Sequence, residues 1–298
     1  MNKDLFYVKD LKNCINEDLS FFQYQSTNSR ALCLQYHNSL IERELTSQKN
    51  DTVISHFNVD TPLITEYKKK YLGEKGTPFI SVIINVDKIM ESCDRLYTNN
   101  LFQKIHDRVY PLPLGIFRKE INNFNYLREI EKKNFCYANF AMTILDRVPI
   151  AKWATLNENI DCRFYKRFSD LDRKLEIALK DNKENIHDDV MEFSDFVTKL
   201  SSYRFCIVPN GVGIDTDRLW ECIFLNVVPI VQHNYGNEIF SKIWPMILVK
   251  NYTTCDIMKL TKEFEQQHGK NIQYNNNLLF RENLPELLDR IQYECQNA

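Results

Sequence analysis

The chain has 298 residues, 44% hydrophobic and 26% charged, with 38 basic against 40 acidic side chains and a formal net charge of −2. That length suits one large α/β domain or two of ordinary size, and the composition is that of a globular chain, not a disordered one. The near balance of charge, with no basic run longer than Tyr-Lys-Lys-Lys-Tyr at 67–71, argues against nucleic acid and anionic membranes as partners.

Charges recur every few residues at the N-terminus, and no stretch approaches 18 uncharged apolar residues, so a soluble, cytoplasmic protein without a membrane span is expected. Nine cysteines are scattered with no CxxC pair, several inside apolar runs. They read as reduced core residues, not disulfides or zinc ligands.

In chain order, short apolar runs at 4–8, 30–36, 52–57, 79–86 and 109–117 predict strands, and a 3.6-residue apolar period predicts helices over 63–73 and 86–109. Such alternation implies βα units and a mainly parallel sheet. The polar stretch 118–134 separates two apolar blocks and places a boundary near 117–132. The domains are then expected at 1–122 and 123–280, with a C-terminal segment at 281–298. A second block follows, with strands at 135–142 and 162–168 and a charged stretch over 170–189. At the end, leucines at helical spacing with Asn283 as N-cap and Pro285 beside it predict a closing helix.

The most informative stretch is 203–232. Tyr-Arg-Phe-Cys-Ile-Val-Pro reads as a strand, Asn-Gly-Val-Gly-Ile-Asp-Thr as a loop, and Asp217 onward as a helix with Leu219, Cys222, Ile223 and Asn226 on one side. Only seven glycines occur in the chain, so Gly211 and Gly213 two residues apart imply positive φ, a close backbone approach, or an ordinary tight turn. Thr216 or Asp215 can cap the helix, whose N-terminal N–H groups would attract an anion such as phosphate.

Arg218 in the first turn opposes the helix dipole and calls for a negative partner: Asp215, Asp217 or Glu221, or the diphosphate of a nucleotide. Glu221, three residues on, shares its face and could form an intrahelical ion pair or accept hydrogen bonds from ribose hydroxyls. Thr216 stands where the third glycine of a dinucleotide fingerprint belongs, and the loop is far from the N-terminus, which argues against an NAD site of that kind. Asp-Thr-Asp at 215–217 could imitate a metal-binding DxD, but it opens a helix instead of ending a strand.

With these residues in place, the segment from Ile207 to Val231 resembles the donor-binding segment of exostosin-like glycosyltransferases, which runs strand, P-x-G-x-G-x-D, R-x-W-E, apolar helix, P-I-V. Weaker matches at 54–60, 97–100, 111–116, 137–147 and 239–252 follow the family's order over most of the chain. Within the family the chain is similar above all to short xylosyltransferase-like members from large DNA viruses and to the catalytic part of animal ribitol xylosyltransferases. The resemblance implies a GT-B architecture: two Rossmann-like α/β domains with parallel sheets facing a central cleft, acceptor in the N-terminal one, nucleotide sugar in the C-terminal one. The last helix would pack back on the first domain.

It further implies that Arg218 contacts the donor diphosphate and Glu221 the ribose, that Asn210, Gly211, Gly213 and Asp215 shape the loop, and that Asn139, Phe140 and Arg147 face the same site. An inverting transfer needs a base at the acceptor hydroxyl. Asp60, at the end of a polar run after an apolar strand, is the candidate, with His56 in reserve; N-capping the following helix is the alternative for Asp60. The remaining histidines, at 37, 106, 187, 233 and 268, form no constellation.

The activity implied is inverting, metal-independent transfer of a sugar, xylose first, from a UDP-sugar to a glycan hydroxyl. No cofactor is implied beyond the nucleotide-sugar donor, and the partners are that donor and a glycan or glycoprotein acceptor. The alternatives are a catalytically silent nucleotide- or sugar-binding module and a metal-dependent transferase using Asp215 and Asp217.

Overall fold

A computed structural model of the protein describes residues 21–26, 29–34, 50–55, 93–116, 118–211, 213–280 and 283–298. Asp60 and His56 lie outside the described residues, as do the strands expected at 4–8 and 79–86 and the helix expected at 63–73. The chain divides into two units: residues 1–117 with 234–243 and 277–298, and residues 118–233 with 244–276. No helix among the described residues is long and apolar enough to cross a membrane.

In the first unit, β1 (Phe21–Ser26), β2 (Ser29–Leu34), β3 (Asn50–Ser55), β4 (Cys93–Thr98) and β5 (Val109–Pro111) lie side by side in sequence order. The β1–β2 pair is antiparallel and the rest are parallel, so an antiparallel edge strand joins an otherwise parallel sheet. Strand β4 corrects the helix expected over 86–109. Asn100 takes φ 57, a left-handed turn that a helix does not continue through.

The pull of tertiary partners explains the rest of that correction. Tyr97 is fully buried and donates to the Leu288 carbonyl at 3.0 Å, while Arg95 Nη1 donates to Gln292 Oε1 at 2.9 Å. Both acceptors lie on the C-terminal helix Leu284–Gln296. Pro285 sits at that helix's start, and Asn283 occupies the N-cap position, but its side chain donates to the Asn277 carbonyl instead of capping.

The second unit has a six-stranded, wholly parallel sheet: β6 (Asn134–Ala141), β7 (Ile160–Tyr165), β8 (Ile186–His187), β9 (Tyr203–Val208), β10 (Val228–Gln232) and β11 (Ile247–Val249). Their order is β11-β10-β9-β6-β7-β8. Numbered from β6, this is 6-5-4-1-2-3, the Rossmann arrangement, with its reversal point between β6 and β9.

Helices α1 (Arg147–Thr155) and α2 (Ser169–Ala178) follow β6 and β7, α3 (Phe193–Ser201) precedes β9, and α4 (Asp217–Phe224) follows it. The β6 residues alternate in what they meet, as a strand's period of two requires. Cys136, Ala138 and Phe140 join the apolar core with Ile150, Ala151, Ala154 and Leu175 of α1 and α2. On the other face Tyr137 stacks on Tyr203 at 4.8 Å, and Asn139 bonds to the Tyr137 and Tyr165 hydroxyls.

Helix α4 is buried from Leu219 to Phe224, with Trp220 edge-on to Trp244 at 5.3 Å. It ends earlier than the sequence suggests. Asn226 takes φ 57, Val227 N donates to the Cys222 carbonyl at 2.9 Å and Asn226 N to the Ile223 carbonyl at 3.2 Å. That is a Schellman stop with asparagine in the left-handed position, so Asn226 terminates the helix instead of lying on its face. Cys136, Cys162, Cys206, Cys222 and Cys295 are buried, and these five together with Cys255 are free thiols.

Candidate functional site

The C-terminal edge of a Rossmann-ordered sheet is where such folds gather ligands, because loops and helix starts converge there. At that edge of the second unit a pocket of about 260 Å³ opens among residues of β6, the end of β7, α3 and α4. Four residues singled out from the sequence line it: Asn139, Phe140, Arg218 and Glu221.

Arg218 is the centre of their arrangement. Its Nε donates to Glu221 Oε2 at 3.0 Å, its Nη1 to Asn139 Oδ1 at 3.1 Å, and its guanidinium carbon lies 3.8 Å from the Phe196 ring centre. Burial pulls the guanidinium pKa down, but the Glu221 carboxylate, with smaller help from neighbouring thiols and Tyr137, outweighs it and holds the group above its ordinary value. The cation is therefore permanently charged and oriented.

Asn139 is fixed from behind, since its Nδ2 donates to the hydroxyls of both Tyr137 and Tyr165, at 2.9 and 3.0 Å. Arg163 Nε in turn donates to the Tyr165 hydroxyl at 3.1 Å. Burial pushes the Tyr137 phenol up, so it stays a neutral hydroxyl at any ordinary pH. A buried amide with its oxygen on the arginine and its nitrogen on two hydroxyls has a defined orientation.

The other expected site residues build the loop behind this pocket and do not line it. Arg147 is 8% exposed and donates to three backbone carbonyls: Nε to Asn210 at 2.7 Å, Nη1 to Ala141 at 2.7 Å and Nη2 to Pro209 at 3.1 Å. It thus ties the end of β6 to the chain leaving β9, at the reversal point of the sheet. Gly211 is needed for closeness, not for positive φ: a Cβ there would stand 3.2 Å from Arg147 Nη2. Its N–H closes onto the Gly213 carbonyl at 2.8 Å.

Asn210 Nδ2 donates to Gln232 Oε1 at 2.9 Å. Asp215 is buried and accepts from the Trp220 indole N–H at 2.8 Å. That bond turns one oxygen of the Asp-Thr-Asp triplet into the core. Thr216 stands at the N-cap of α4 without a side-chain cap bond. Among the described residues no cluster of three His, Cys, Asp or Glu side chains could hold a metal ion.

Sequence reasoning missed two cations. Arg118 and Arg167 also line the pocket, together with Phe193 and Phe196 of α3. A signal for Arg167 was present in Tyr-Lys-Arg-Phe at 165–168, because basic residues directly after a parallel strand fall on the ligand-gathering edge. The intervening Lys166 is engaged by Glu176 and Asp188, at 2.7 and 3.0 Å. The pocket therefore presents three guanidinia and one carboxylate, bordered by aromatic rings, which suits an anionic ligand with a stacking or apolar part.

No protein-family model matches the chain, and no curated protein matches it. Solved structures similar to it include an alpha,alpha-trehalose-phosphate synthase (UDP-forming) from Burkholderia vietnamiensis, at 9% identity and TM-score 0.43 over 86% of this chain and 69% of that one. AviGT4, a glycosyltransferase involved in avilamycin A biosynthesis, aligns at 9% identity and TM-score 0.41 over 89% and 80%. WaaG, a glycosyltransferase involved in lipopolysaccharide biosynthesis, aligns at 12% identity and TM-score 0.40 over 85% and 81%.

Proposed function

We propose that this protein is a metal-independent, inverting glycosyltransferase of GT-B architecture that moves a sugar from a UDP-sugar to a glycan hydroxyl, with xylose the first sugar to test. The observation that carries the reading is Arg218: a charged guanidinium, fixed by Glu221 and Asn139 over Phe196, at a pocket on the C-terminal edge of a Rossmann-ordered sheet.

In such a transfer the acceptor oxygen attacks the anomeric carbon while the bond to the diphosphate breaks, so negative charge grows on the leaving group. A cation already held in place stabilises that charge without reorganisation. In this reading Arg218 supplies it, and Glu221 accepts from a ribose hydroxyl. Asp60, with His56 in reserve, is assigned the proton of the acceptor hydroxyl.

One observation favours a second reading. Two donors of Arg218 are satisfied within the protein, as a purely structural ion pair would have them, and this fits a silent nucleotide-binding module. Release of UDP from a UDP-sugar separates those two cases, while the donor site itself is tested by a thermal-shift screen: UDP, GDP, ADP, NAD and a panel of UDP-sugars, with and without EDTA, on the protein and on Arg218→Ala. The proposal expects a rise in Tm with UDP or a UDP-sugar that survives EDTA and is lost in the variant. No rise with any nucleotide removes the donor site altogether, and a rise that EDTA abolishes removes the metal-free mechanism.

A further inference from the structure

Arg118 and Arg167 differ from Arg147, Arg204 and Arg218, also in the second unit, in what holds them. Arg147, Arg204 and Arg218 are engaged by carbonyls or carboxylates. The guanidinium of Arg118 lies over the Phe193 ring, 4.8 Å from its centre, and that of Arg167 over Phe168 at 5.9 Å. Among the described residues neither guanidinium makes an ion pair or a hydrogen bond, although the Arg167 backbone N–H donates to Asp172 Oδ1 at 2.9 Å. An aromatic platform orients a guanidinium through its face and leaves the N–H edge open for an acceptor.

Both border one pocket with Arg218, whose charge is met by Glu221. Subtracting that pair leaves two uncompensated positive charges around about 260 Å³. A site for a whole drug-sized molecule spans about 300–1,000 Å³, so this pocket is sized for the charged part of a nucleotide sugar. The glycine loop is closed upon itself by the Gly211–Gly213 bond, and Arg147 occupies the carbonyls of Pro209 and Asn210.

We infer that Arg118 and Arg167 are the primary diphosphate-binding pair of this protein, and that the phosphoanion sits at the arginine-lined mouth of α3 instead of on the glycine loop. The inference rests on the nucleotide-sugar reading for its biological ligand, but the chemistry it names, a doubly charged pyrophosphate-type anion, can be tested alone. Arg218 then marks the inner end of the site and the two exposed arginines close its outer end. Each supplies charge-assisted hydrogen bonds to phosphate oxygens.

The test is calorimetric titration of the full chain with inorganic pyrophosphate, with inorganic phosphate and with UDP. The variants are Arg118→Ala, Arg167→Ala, the double variant, and Arg173→Ala as an exposed basic control outside the pocket. Far-UV circular dichroism checks folding, and since both arginines are exposed the variants should keep their structure. The expected result is tighter binding of pyrophosphate than of phosphate, weakened about tenfold by each single change and more by both, with Arg173→Ala like the parent.

Equal pyrophosphate affinity in the parent and the double variant, or no pyrophosphate binding by the parent, overturns the inference. Failure of the enzymatic reading looks different: arginine-dependent binding of pyrophosphate and UDP with no release of UDP from any UDP-sugar. If instead UDP-sugars are consumed normally by the double variant, the transferase stands and this pair falls.

Discussion

Replacing Arg147 with methionine separates a positioning group from a ligand contact. The side chain is 8% exposed and supplies three charge-assisted donors to the carbonyls of Ala141, Pro209 and Asn210. Methionine fills much of the volume but leaves those acceptors without their partner. Each buried polar group so stranded costs about 1–3 kcal/mol. Water can reach part of a site at the edge of the sheet, so the lower end of the range applies to each, and roughly 3–5 kcal/mol in total is expected.

The readout is selective because all three tryptophans, Trp153, Trp220 and Trp244, belong to the second unit. Denaturant unfolding followed by tryptophan fluorescence therefore reports on that unit, and Arg147→Met should lower its midpoint substantially. A midpoint within experimental error of the parent, together with weakened UDP binding, would refute the reasoning and make Arg147 a ligand residue.

Lys132 donates to the carbonyls of Ser201 and Leu225, at 2.7 Å each, at the C-terminal ends of α3 and α4, and burial pushes its ammonium down to about 8. Between pH 8 and the ordinary lysine range the unfolded chain binds the extra proton, so this group's contribution to stability rises with pH there. The stability of the parent relative to Lys132→Met, read from the tryptophan midpoints, should increase from pH 8 to pH 10; a pH-independent difference contradicts the assignment. Gly211→Ala should destabilise the same transition by about 1 kcal/mol, the scale of a strained core contact, because its Cβ meets Arg147 Nη2 at 3.2 Å. An unchanged midpoint would show that the loop yields freely. Asp215→Ala strands the Trp220 N–H and should cost about 1–3 kcal/mol while leaving EDTA without effect on UDP affinity; EDTA-sensitive binding in the parent would return Asp215 to a metal role.

The α/β alternation was readable from the second half of the chain because strands buried on both faces, such as β6 and β9, appear as continuous apolar runs. The adjacency of Arg218 and Glu221 was readable too, since three residues on a helix fix their neighbourhood. Strand β4 was not, because Tyr97 and Arg95 gain their partners from a helix nearly two hundred residues later, and no local period records that. The helix stop at Asn226 was hidden for a related reason: an asparagine can continue a helix face or end it in the left-handed region. Its side chain settles the matter by accepting from Tyr274 N at 3.1 Å.

The acceptors of Arg147 are backbone carbonyls, which leave no trace in residue identity. Arg118 and Arg167 were equally invisible as a pair, one lying in a polar stretch and the other after a strand, and only the folded sheet edge brings both to one pocket. Local geometry thus showed in the sequence, in the close approach at Gly211 and the pairing at 218–221. The sequence was silent where the arrangement depends on convergence of distant segments.

The most direct test of the central claim is release of UDP from a panel of UDP-sugars in the presence of EDTA, comparing the full chain with Arg218→Ala and with Glu221→Gln. The account predicts UDP release by the parent with at least one UDP-sugar, undiminished by EDTA and strongly reduced in Arg218→Ala. No release from any UDP-sugar by a folded parent that binds UDP, or release unaffected by Arg218→Ala, would contradict it.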